Sequence, residues 1–107
     1  MATVDTIPVT IHPDAAAFLE EIGQGRELEI MLEQAKRTIP ALRSLDVVLH
    51  DFPETGPPSL TIDAHRDPLP TGYDWADQEF ARWQVREFPP EVCQNFTLMS
   101  IYHTYER

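Results

Sequence analysis

The amino-acid sequence predicts an α+β domain, a two-layer sandwich in which an antiparallel sheet carries its helices on one face. Three observations lead there. Segments with apolar residues at every second position alternate along the chain with segments spaced at three and four. Ten prolines punctuate those segments. A chain of 107 residues with 42% hydrophobic content builds one core and not two, so residues 1–107 read as a single domain.

The first element is a strand over residues 6–12, where Ile7, Val9 and Ile11 oppose Thr6, Thr10 and His12. Pro8 assigns it to an edge. Pro13 and Asp14 open a helix whose buried stripe is Phe18, Leu19 and Ile22, and the glycines at 23 and 25 end or kink it. The main helix spans 26–39. Its Leu28, Met31, Leu32, Ala35 and Ile39 line one side, and its acids precede its bases in the sense that complements the helix dipole.

Two strands follow, 45–51 and 59–65, joined by a proline-rich turn. Each alternates a core face with a polar face. Paired antiparallel, they can set Asp46 opposite Asp63 or opposite His65; the second register is favoured because opposed like charges destabilise a sheet. Asp74 then caps a helix running to Phe88. Ala76, Phe80 and Trp83 group together, Ala81, Val85 and Phe88 flank them, and Gln78, Arg82 and Arg86 point outward. After Pro89 and Pro90 comes one short helical turn and a final segment, 97–105, that reads as a strand, with helix as the competing reading. The order βαββαβ matches the ferredoxin-like pattern, with an antiparallel sheet in the order 4-1-3-2.

Composition narrows the function. Eighteen acidic residues against eight basic ones give a formal charge of −10, which repels nucleic acid and anionic membranes. Arg82 and Arg86, one helical turn apart, form too small a basic stripe to change this, and Glu79 is the expected ion-pair partner of Arg82. A single cysteine excludes a disulfide framework. The start of the chain has no signal-peptide pattern and no stretch approaches the length of a membrane span, so a cytoplasmic protein is expected and the acceptor triplet at Asn95 is accidental.

Four histidines, His12, His50, His65 and His103, lie near strand ends. In a 4-1-3-2 sheet they separate into two pairs, each with a strand between its members and backbones roughly 9–10 Å apart, so no end gathers three metal ligands. The best local cluster is Asp63, His65 and Asp67, alternate residues projecting from one strand face; a solvated face is the plainer reading, and neither a metal nor a cofactor is expected. Cys93, with His65 or His103 as its base, is a candidate nucleophile; its plainer role is a small buried hydrophobe between Val92 and Phe96.

The sheet face away from the helices carries Val48, His50, Met99, Ile101 and Tyr105, a mixed surface suited to association. The sequence therefore points to a small acidic binding or regulatory module that forms a two-fold homodimer through this face or its final strand, and that takes a basic protein or a cationic small molecule as partner. The alternative is a small enzyme with a pocket beside the proline-rich loops. It would use His65 with Asp63 or Asp67, or Cys93, and be walled by Phe52, Tyr73 and Trp75, whose plainer role is to seal the core edge.

Overall fold

Strict alternation of buried and half-buried positions over Ser59–Arg66 marks the central strand of a four-stranded sheet. A computed structural model describes residues 7–69 and 74–103. Thr6, Tyr73 and Tyr105, named above, lie outside the described residues, as does the N-terminal start of the chain.

The elements are β1 (Val9–Ile11), α1 (Pro13–Ile22), α2 (Gly25–Thr38), β2 (Leu42–His50), a 3-10 turn (Pro53–Thr55), β3 (Ser59–Arg66), α3 (Ala76–Glu87), α4 (Pro90–Cys93) and β4 (Phe96–Tyr102). Gly23 takes the left-handed conformation that closes α1, with φ 68° and its N–H donated to the Leu19 carbonyl. Ala41 adopts φ 58° at the sharp bend from α2 into β2, after Pro40 has ended the helical run. The last strand is extended over Phe96–Tyr102, which settles the choice between strand and helix for the described part of that segment.

The fold is α+β, but the sheet is mixed, not antiparallel, and its order is β1-β2-β3-β4, not 4-1-3-2. β1 runs parallel to β2, β2 antiparallel to β3, and β3 parallel to β4. Two β-α-β units therefore meet through the β2–β3 hairpin. The apolar pattern could not discriminate the two orders. Alternation specifies which face of a strand is buried and not which neighbour it takes, and both orders bury the same side chains. Helical connections are long enough to return each chain to the adjacent edge as a parallel strand.

Inward positions form one cluster: Leu45 and Val47 of β2, Leu60, Ile62 and Ala64 of β3, and Phe96 of β4 pack with Leu28, Met31, Leu32 and Ala35 of α2 and Phe80 of α3. Each fully buried aliphatic side chain contributes about 1.5–3 kcal/mol. On α3 the expected Ala76, Phe80, Trp83 and Phe88 do pack on the core, but the rest of the buried face differs. Val85 and Ala81 are exposed, while Gln84 is buried, donating from Nε2 to the Phe96 carbonyl at 3.0 Å. A glutamine reads as outward in a hydropathy pattern, yet here it satisfies a carbonyl on the outer edge of β4.

Arg66 is the largest polar surprise. Placed in a loop by the sequence pattern, it ends β3 with a side chain that is 0% exposed. Its guanidinium donates to both carboxylate oxygens of Asp74 (2.6 and 3.3 Å), to Ser100 Oγ, to the Tyr102 hydroxyl and to the Pro40 carbonyl. Asp77 lies 3.9 Å away and also accepts from the Ser100 N–H and hydroxyl. The network ties the start of α3 to the ends of β3 and β4.

Candidate functional site

Residues at alternate positions to the core occupy the opposite side of the sheet, and the register arranges them in cross-strand rows. Thr10, Asp46, Asp63 and Met99 form one row, and Ser44, His65 and Ile101 the next. Val48, Thr61 and Thr97 form a third, on the other side of the carboxylates. Met99 is 51% exposed. Val48, Met99 and Ile101 thus share one surface, while His50 sits near its far end in an edge-to-face contact with Phe52 at 4.7 Å.

The β2–β3 register is the one the like-charge argument disfavoured: Asp46 faces Asp63, and His65 faces Ser44. His65 compensates by reaching diagonally, with Nε2 at 3.2 Å from Asp46 Oδ2. Among the described residues, Asp63 makes no comparable contact. Its carboxyl is pushed above the ordinary range, first by burial and then by the Asp46 charge, against the opposing pull of His65 and His12.

Two of the four histidines, His65 and His103, converge where they were expected to stand apart. With β4 directly beside β3 and parallel to it, both strands end on the same side, and the His103 N–H donates to the Arg66 carbonyl at 2.9 Å. That brings His103 Nε2 within 2.8 Å of His65 Nδ1. Asp46, His65 and His103 consequently form a continuous hydrogen-bonded chain, which with Arg43 and Ser44 lines an open depression of about 400 Å³. Sequence patterning missed it because the separation assumed a strand between them.

The remaining candidates are dispersed. Asp67 pairs with Arg43 at 3.6 Å. Among the described residues, no group of three or more His, Cys, Asp or Glu is arranged to hold a metal ion. The Cys93 thiol donates to the Gln84 and Phe88 carbonyls at 3.4 and 3.5 Å. It precedes β4 while His103 follows it, a separation on the order of 20 Å along the strand, so neither ring of the chain serves it as a base. Phe52 and Trp75 do not seal the core edge, since both are exposed, Trp75 by 70%.

No protein-family model, curated protein or solved structure matches this chain. Among the described residues, no helix is long and apolar enough to cross a membrane. The open face of the sheet is the surface that bears on function. That surface offers a pair of facing carboxylates, an apolar strip of Met99 and Ile101 on one flank with Val48 on the other, and a two-imidazole chain at one end.

Proposed function

We propose that this chain is a small binding module that works through the open face of its sheet, and that its partner is a protein presenting a lysine or arginine to the Asp46–Asp63 pair. The observation that carries this reading is the pairing itself. Two aspartates face each other across β2 and β3, an arrangement that costs the fold stability and that an external cation relieves. Met99 and Val48 beside them suit the aliphatic stem of such a side chain. The net charge of −10 favours a basic partner over a second copy of the chain. A two-layer arrangement with all helices behind the sheet keeps this face open.

Nuclear magnetic resonance titration with a hexa-arginine peptide tests the proposal. The amides of Thr10, Asp46, Asp63 and Met99 are expected to shift. Asp46→Asn with Asp63→Asn should weaken binding about tenfold, against little change for the equally charged control Glu20→Gln with Glu21→Gln. Equal loss in both variants means diffuse attraction and overturns the reading. Self-association that Met99→Lys abolishes assigns the face to a homodimer instead.

A second reading, a small enzyme, is favoured by one observation: the Asp46–His65–His103 chain ends on an exposed imidazole beside Ser44. In that role His103 is the group that exchanges a proton with substrate, and His65 and Asp46 position it.

A further inference from the structure

The chain carries eight bases among eighteen acids. Most of the described cations find a partner: Lys36 pairs with Glu33, Arg43 with Asp67, Arg66 with Asp74, and Arg37 donates to Gln34. Arg26, at the start of α2, makes no ion pair among the described residues, and Arg82 and Arg86 also differ from the paired cations. Neither makes an ion pair among the described residues, although Glu79 stands one turn before Arg82 and was its expected partner. Both border a groove of about 340 Å³ between α2 and α3. Phe80 and Trp83 line it, with Gln34 and Thr38 contributed by α2 and Glu79 by α3. Trp83 is steadied from two sides, its ring 5.2 Å from Phe80 and 5.7 Å from Phe88.

We propose that this groove is a binding site for a small planar anion, an aromatic ring bearing a phosphate or carboxylate, with the ring against Trp83 and the anionic group on Arg82 and Arg86. The volume suits a ligand of one or two rings. Guanidinium forks one turn apart match the oxygens of phosphate or carboxylate, and with no ion pair among the described residues that capacity is unspent there. Glu79 repels an anion at the other end of the groove, which orients the ligand with its charged group toward Arg86. The site lies on the helices, away from the open sheet face, and stands or falls independently of the binding role proposed there.

Calorimetric titration with adenosine monophosphate, indole-3-acetate, adenosine and inorganic phosphate separates ring from charge and phosphate from carboxylate. At least one of the two aromatic anions is expected to bind with a dissociation constant below about 1 mM, and about tenfold or more tighter than adenosine or phosphate alone. Arg82→Gln with Arg86→Gln should weaken that binding about tenfold or more, whereas Arg26→Gln with Arg43→Gln, an equal charge change away from the groove, should leave it unchanged. All four positions are exposed, where such substitutions cost little stability. The proposal is overturned if neither aromatic anion binds, if phosphate alone binds as tightly, or if the double variant binds as well as the wild type.

Discussion

His65 Nδ1 lies 2.8 Å from His103 Nε2, while the other nitrogen of His65 lies 3.2 Å from Asp46 Oδ2. These two contacts dictate the tautomers. An ionised carboxylate only accepts, so His65 Nε2 carries a hydrogen; a neutral His65 then has a bare Nδ1, which accepts from His103 Nε2–H. Long-range proton–nitrogen spectra above the imidazole titration range should show His65 protonated at Nε2 alone, and His103 likewise. Asp46→Ala removes the acceptor, and a mixture of His65 tautomers is then expected. A wild-type His65 carrying its hydrogen on Nδ1 would contradict the chain.

The facing pair Asp46 and Asp63 has a cost that depends on pH. The Asp63 carboxyl is raised above its ordinary value of 3.8, so in the interval between that value and its folded value the folded chain holds more protons than the unfolded one. Stability from this group therefore falls as pH rises through the interval, and the penalty is fully present at neutral pH. Asp63→Asn should stabilise the fold at pH 7 by about 0.2–1 kcal/mol, the range for a cross-strand pair, with the gain shrinking below pH 4 or so. Urea unfolding at the two pH values measures it. A neutral-pH loss would mean that Asp63 is a structural partner instead.

Asp74 behaves with the opposite sign. The Arg66 guanidinium holds its carboxyl below the ordinary range, so its contribution is present above the unfolded value of 3.8 and is lost as pH falls through the depressed folded value. Arg66 is fully buried, and taking away a carboxylate leaves it short of a counter-charge. Asp74→Asn is expected to cost about 3 kcal/mol at neutral pH. The variant should also lose the part of acid destabilisation that Asp74 supplies. Thermal unfolding between pH 3 and pH 7 reads both effects, and an unchanged midpoint at pH 7 would remove Arg66–Asp74 as a determinant of the fold.

How far such features were legible in the sequence depends on the range over which each is decided. Leu45, Val47, Leu60 and Ile62 declared their buried face through alternation, and Leu28, Met31, Leu32 and Ala35 through helical spacing, because both patterns are local. The neighbour of each strand is not local. The pairing of β3 with β4 joins residues 60–66 to 96–102, and no pattern within either segment reports it. The same register joins His65 to His103. Arg66 and Gln84 were not legible for a different reason: a hydropathy pattern assigns polar side chains to solvent, and these two are buried against partners elsewhere in the chain. Val48, Met99 and Ile101 were legible as one surface because parity survives a change of strand order.

The outer edge of β4 yields the last expectation. Its even-numbered residues direct their backbone groups away from β3, as the Leu60 N–H to Asn95 carbonyl and His103 N–H to Arg66 carbonyl bonds require. Two of those outward groups are already taken by α3: the Ser100 N–H by Asp77 and the Phe96 carbonyl by Gln84. Covering an edge in this way opposes pairing with another chain, so association through the final strand is disfavoured in the wild type. Asp77→Ala with Gln84→Leu removes both partners. Gln84→Leu alone should cost about 1–3 kcal/mol, because a carbonyl loses its donor. The double variant should in addition show concentration-dependent association by light scattering, accompanied by altered amide exchange at Leu98 and Ser100. A double variant that is destabilised yet associates no more than the wild type would show that the side chains of α3 serve the core and not the edge.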